Sequence, residues 1–143
     1  MGFCLYANIA LDRVATPALL AFRPDLIVVA CGFDDSYFDP LSHQMLLSSH
    51  YAAMTGRMVD AAAALCGGRL ALVHEGGYSD FYVPMCGLAT IDVLRGESSD
   101  LFDPYTETED IPWQALQPHQ EGVIGAVAEG PLTVLQGRCR GGR

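Results

Sequence analysis

The chain has 143 residues, half of them apolar, and a formal charge of -9, a composition that suits one globular domain with a real core and argues against disorder. All eight basic residues are arginine, which excludes a P-loop lysine, a Schiff-base lysine and a lysine general base. The acidic balance argues against direct nucleic-acid binding, which needs clustered cations to displace phosphate counterions, and favours a cationic substrate or product.

Taken in chain order, Thr16-Pro17 reads as an N-cap followed by proline at the first helical position, predicting a short helix over Pro17 to Phe22 that ends before Arg23-Pro24. Leu26 to Ala30 is an unbroken β-branched and apolar run, the pattern of a strand covered on both faces in a parallel sheet. After an aspartate-rich turn, Ser48 or Ser49 can cap a helix to about Cys66, with Tyr51, Met54, Met58, Ala62 and Leu65 on one face and Gly67-Gly68 as the stop. Arg69 to Val73 is a second strand, and Phe81 to Leu94 a second long helix interrupted near its start by Pro84. This order predicts an α/β fold built on a right-handed βαβ unit with flanking helices.

From Glu97 to Gln120 the chain turns acidic and proline-bearing, suggesting a surface excursion with a short helix around Trp113. Val123 to Ala128 suggests one further helical turn, and residues 131–143 carry no core pattern and are expected to be disordered. Five cysteines (Cys4, Cys31, Cys66, Cys86 and Cys139) are odd in number and lack C-x-x-C spacing, and no secretory n-region precedes the apolar start. Free thiols and a cytoplasmic location are therefore expected. The longest apolar stretch is far too short for a membrane span.

Chemistry concentrates at the two strand ends. The first opens into Cys31-Gly32-Phe33-Asp34-Asp35-Ser36-Tyr37-Phe38-Asp39-Pro40 and the second into His74-Glu75-Gly76-Gly77-Tyr78. Parallel strands place such ends side by side, where open α/β sheets bind ligands. Asp39, stiffened by Pro40, suits a divalent-metal ligand, while aspartates also simply cap and solvate turns. His43, four residues on, could add a ligand or sit on an outer face. Gly76 and Gly77 allow close backbone approach, and Tyr78 is either a packing residue or a hydroxyl donor to a developing oxyanion. No G-x-S-x-G elbow is present, which sets aside the α/β serine hydrolases. Cys31 and His74 could form a thiolate–imidazole pair, against the alternative of a small buried cysteine beside a hydrogen-bonded histidine.

Three segments, Arg23-Pro-Asp-Leu-Ile-Val-Val-Ala-Cys-Gly-Phe-Asp34, Phe38-Asp-Pro-Leu41 and Gly68-Arg-Leu-Ala-Leu-Val-His-Glu-Gly-Gly-Tyr78, continue into Tyr82-Val-Pro-Met-Cys-Gly-Leu88. Ordered and collinear, they resemble the histone deacetylase superfamily, in particular bacterial class II deacetylase-like amidohydrolases and the acetylpolyamine and acetoin utilisation relatives. Leu116 to Gln120 resembles the family's C-terminal region. The resemblance implies an arginase-like parallel sheet flanked by helices and a zinc-dependent hydrolase that removes acetyl groups from amines. It makes Asp39 a zinc ligand and Tyr78 the catalytic tyrosine that polarises the acetyl carbonyl. Gly76 and Gly77 would lie against the substrate. Gly2 and Phe3 would line its channel, because Met1 to Ala10 resembles the family's Gly-Phe-Cys segment.

The departures are also specific. The family carries a histidine pair and an Asp-x-His zinc motif, whereas here none of His43, His50, His74 and His119 follows an aspartate by two positions and no two histidines adjoin. The expectation is a truncated domain over residues 1–130, in which the segment 1–11 joins directly to 12–130. Such a chain is expected to retain one zinc ligand of three and to be inactive alone, with exposed sheet edges that invite self-association. A non-catalytic interaction module and a cysteine hydrolase using Cys31 and His74 remain as alternatives.

Overall fold

The computed structural model describes residues 10–41, 44–100, 102–110 and 116–129. Ser42, His43, Trp113, the segment 1–9 and the tail lie outside them, so the expectations for Gly2, Phe3, His43, the Trp113 helix and 131–143 fall there too. The described chain is α/β. A π-helical turn Leu11–Ala15 runs into α1 (Thr16–Phe22), followed by β1 (Ile27–Cys31), α2 (Ser48–Cys66), β2 (Leu70–His74), α3 (Val83–Arg95), a 3-10 turn Thr106–Asp110 and α4 (Pro118–Glu129). No helix among the described residues is long and apolar enough to cross a membrane.

The strands pair in parallel, Ile27 opposite Leu70 through Cys31 opposite His74, with α2 as the crossover that parallel neighbours require. Backbone bonds prolong the pairing past both ends. Ile27 donates to the Arg69 carbonyl at 3.0 Å, Glu75 to Cys31 at 3.2 Å and Phe33 to Gly76 at 2.7 Å. The two loops that follow the strands are therefore tied together before any side chain contributes.

Three expectations need correction. Among the described residues the strands are covered on one face only: Ile27 packs with Ala62 and Cys66 of α2, whereas Val28 is 59% and Val73 48% exposed, with Ala30 and Ala71 exposed beside them. Thr16 is not a cap, because it has helical angles (φ -62, ψ -47) and continues the π-helical turn before it; α1 ends instead at Arg23, which takes a left-handed φ of 53. Neither Ser48 nor Ser49 caps α2. Leu47 is the extended residue before that helix, its amide donating to His50 Nδ1 at 3.1 Å. The Ser48 hydroxyl is diverted to Asp103.

The core lies under the strand ends. Phe33, Leu46, Leu47, Tyr51, Tyr82 and Cys86 form its buried cluster, and Phe38 meets Tyr105, Tyr37, Phe81 and Tyr82 at centroid distances of 4.4, 4.8, 5.0 and 5.1 Å. Such tilted and edge-on contacts add to the area that the rings bury. Pro84 falls in the first turn of α3, where its missing N–H costs nothing, so it starts that helix and does not interrupt it. At the other end, Ile124 of α4 is 2% exposed, and α4, longer than the single turn expected, is also joined to Arg13 by a Glu121 ion pair of 3.4 Å.

The acidic excursion after α3 is anchored, not merely solvated. Asp103 is 4% exposed; its Oδ2 accepts the Ser48 and Tyr82 hydroxyls at 2.6 Å each and its Oδ1 the Tyr105 amide at 2.9 Å. Burial pushes this carboxyl up, but those hydrogen bonds outweigh it and hold the group below the ordinary carboxylate range. A depressed folded value means that the contribution to stability is full above the unfolded pKa of about 3.9 and is lost as pH falls through the folded one. Replacing Asp103 by Ala, which orphans two buried hydroxyls, is expected to cost about 3 kcal/mol in urea unfolding at neutral pH. The difference from the unmodified chain should shrink at about pH 3; an equal deficit at both pH values would show that the carboxylate's charge plays no part.

Candidate functional site

Asp39 and Tyr78, 39 residues apart, meet at the strand ends. Asp39 is 7% exposed. Its Oδ1 accepts the Leu41 amide at 2.8 Å, closing a turn on itself, and its Oδ2 accepts the Tyr78 amide, also at 2.8 Å. The turn forms because successive bonds, Ser36 to Phe33 at 3.2 Å and Asp39 to Ser36 at 3.0 Å, wind the backbone tightly, while Pro40 restricts Asp39 to extended conformations. The Phe38 ring beneath it is fixed in the aromatic core. One carboxylate thus holds both loops, and the Tyr78 side chain stands 60% exposed above them.

The glycines are required by close approach. Gly77 has φ +137, and a Cβ there would lie 3.0 Å from both Phe33 Cβ and Val83 Cγ2, an arrangement closed to other residues. At Gly76 a Cβ would fall 2.8 Å from Asp34 Cγ, so the Asp34 carboxylate rests on bare backbone. Its place in an aspartate-rich turn gives no sign that Asp34 lies over the second loop. The signal was in the glycines, whose missing side chains make room for it.

Cys31 and His74 are register neighbours, yet no hydrogen bond between their side chains supports a catalytic pair. Burial pushes the Cys31 thiol up, away from the thiolate that a nucleophile needs. His74 is exposed, not buried in the core, with its Nε2 3.1 Å from the Gly76 carbonyl and its ring 5.2 Å from Phe33. Cys31, Cys66 and Cys86 are all free thiols.

Catalytic zinc takes three protein ligands and leaves one position open. Among the described residues no group of three or more His, Cys, Asp or Glu side chains could hold a metal ion, and both Asp39 oxygens already accept amides. The described residues therefore do not fit a zinc ion by themselves. What the arrangement offers is an anchored carboxylate bonded to the backbone of an exposed tyrosine, with two glycines just before it in the same loop.

Residues 6–94 match the family described as "Histone deacetylase domain". The chain is 54% identical over 95 residues to the "Histone deacetylase-like amidohydrolase" of Pseudomonas aeruginosa, covering 66% of this chain and 25% of that protein. It is 32% identical over 102 residues to "Histone deacetylase 15" of Arabidopsis thaliana, covering 71% of this chain and 18% of the relative. Among solved structures, the histone deacetylase Clr3 aligns with a TM-score of 0.67 at 28% identity, over 89% of this chain and 19% of that one. The HDA15 HD domain aligns with a TM-score of 0.61 at 25% identity, over 85% and 30%. The chain spans about a quarter or less of the length of these two curated relatives. A family match running from before α1 to the end of α3, over a parallel sheet superposable on deacetylase domains, means that the chain belongs to the histone deacetylase family.

Proposed function

We propose that this chain carries the Asp39–Tyr78 part of an amide-hydrolysing deacetylase site and does not release acetate from acetylated amines by itself. The supporting observation is the Asp39 carboxylate bonded to the Tyr78 amide, which keeps an exposed phenol beside an anchored acid. In this reading Asp39 is one zinc ligand of three, and Tyr78 donates its hydroxyl to the oxygen on which charge develops. Gly76 and Gly77, whose bare faces are taken by Asp34, Phe33 and Val83, would set the course of the loop along which the substrate amide lies. The substrate is an acetylated amine, whether acetyl-lysine in protein, an acetylated polyamine or a related amide, and zinc is the family's metal. Absence of an Asp-x-His pattern and of adjacent histidines supports inactivity of the chain alone, since one carboxylate does not hold zinc usefully. Free thiols agree with a reducing, cytoplasmic setting.

Zinc titration calorimetry with a parallel acetyl-lysine release assay tests this. Neither tight one-to-one binding nor turnover is expected; stoichiometric binding with acetate release that disappears in Tyr78→Phe would overturn the proposal.

The anchoring role of Asp39 is separable from activity. Asp39→Ala should speed hydrogen exchange at the Leu41 and Tyr78 amides and cost about 1–3 kcal/mol. Tyr78→Phe should leave both amides protected, because the bond is made by backbone. Unchanged exchange in Asp39→Ala would remove the tie between the loops.

A second reading, self-association through the sheet, is favoured by the exposed Val28 and Val73 and by outer strand edges without a strand partner among the described residues. Each copy carries -9, so added salt should strengthen association by screening repulsion. Light scattering across protein and salt concentrations is expected to show this growth, and Val28→Lys to reduce it; a monomer under every condition would dismiss the reading.

A further inference from the structure

The outer edge of β1 is open. The Ile27 amide donates to Arg69 at 3.0 Å and the Cys31 carbonyl accepts the Glu75 amide at 3.2 Å, and in a parallel ladder every second residue bonds the same neighbour. The N–H and C=O groups of Val28 and Ala30 therefore point away from β2, and no described residue pairs with them. Edges of this kind accept another strand unless a charge, a proline or a bulge blunts them. Leu26 to Ala30 contains neither charge nor proline.

Along this edge lies a cavity of about 530 Å³, walled by Ala18, Leu19 and Phe22 of α1, Met58 of α2 and Ile27 to Ala30 of β1. Successive strand residues point to opposite faces, so a cavity lined by four in a row runs along the flank of the strand and not over one face. Its walls are apolar, and Phe22 is 54% exposed. The fitting occupant is an extended apolar segment that supplies backbone partners to Val28 and Ala30, as in strand addition.

Two further observations say whose segment it is. Parallel sheets are ordinarily covered on both faces and continued at their edges by the rest of their domain, and this chain fills only 30% of the HDA15 HD domain on which it superposes. Most of such a domain therefore lies outside the part present here. Asp39, moreover, stands in the turn beyond the carboxyl end of β1, as one carboxylate where catalytic zinc takes three protein ligands. A segment laid parallel to β1 would end beside that turn, where open α/β sheets gather their ligand-binding residues.

We propose that the β1 edge and the groove between β1 and α1 receive, in parallel, a strand of a separate polypeptide that carries the rest of a histone deacetylase domain. Its strand end brings metal-ligating side chains to Asp39. The identity of this partner rests on the deacetylase reading, whereas the open edge and the apolar groove do not.

Co-expression of the tagged full chain with the Pseudomonas aeruginosa relative, shortened by the segment that this chain matches, tests the proposal. A single-chain chimera, with this chain in place of that segment, is the reference. One-to-one co-purification is expected, with bound zinc by metal analysis and acetate release that neither piece shows alone. Ala30→Pro removes an outward N–H and leaves the β1–β2 ladder intact, and Phe22→Asp puts a charge in the groove. Each should lower the yield of complex about tenfold or more. Absence of co-purification, recovery of this chain only with copies of itself, or a complex indifferent to both substitutions would overturn the docking. Should Ala30→Pro not fold, Phe22→Asp, at an exposed side chain, still decides. The chimera judges the underlying reading separately: zinc binding with acetate release upholds it, and zinc binding without release dismisses it while a co-purified complex would leave the docking standing.

Discussion

An aspartate that divides its two oxygens between its own turn and a distant element is the interaction on which this architecture rests. Asp39 gives Oδ1 to the amide two residues on and Oδ2 to Tyr78. Asp103 repeats the device, with Oδ1 on the amide of Tyr105 and Oδ2 on Ser48 and Tyr82. Both stand in a Phe-Asp-Pro sequence, at 38–40 and 102–104. The proline stiffens the turn and biases the aspartate toward extended backbone, so its side chain is held before it meets its partner. Charge-assisted bonds of this kind are the strong ones. One such turn fixes the candidate site; the other fastens the segment after α3 to the start of α2.

The two devices share one aromatic floor. Phe38 of the first turn touches Tyr105 of the second and Tyr82 between them, and the Tyr82 hydroxyl ends on Asp103. Support for the first strand-end turn therefore comes from the middle of the sequence and from the acidic stretch after α3 together. The opposite face of the sheet has no such floor among the described residues. Tied strand ends and a bare sheet face thus coexist within one small unit.

Both strands were legible in the sequence to within one residue, because short apolar runs bounded by proline or glycine leave little choice. So was α2, whose glycine pair stops it with Gly67 at φ 61. Coverage of the sheet was not legible: Val28 and Val73 look the same in sequence whether or not a second layer packs on them. Capping failed where a hydroxyl had a stronger use, since Ser48 serves the charged Asp103 and leaves Leu47 to His50. The acidic stretch misled for a related reason, as composition reports average solvation and conceals one buried carboxylate among exposed ones. At the site, meeting of Asp39 and Tyr78 followed from strand ends lying side by side, but the bond is made by the Tyr78 backbone, which no residue type announces. The seat of Asp34 on Gly32 and Gly76 was hidden in residues that have no side chain.

Sulfur chemistry follows from the same burial. Desolvation, with Asp103 and Cys31 nearby, holds the Cys86 thiol up at about 12, and Cys31 is shifted in the same direction. Peroxides, electrophiles and soft metal ions all react with the deprotonated form. At neutral pH these two sulfurs hold their protons more firmly than an ordinary thiol, Cys86 within the buried cluster and Cys31 half-buried at the end of β1. Attack by either sulfur on a peroxide or an alkylating agent is correspondingly slowed while the chain is folded.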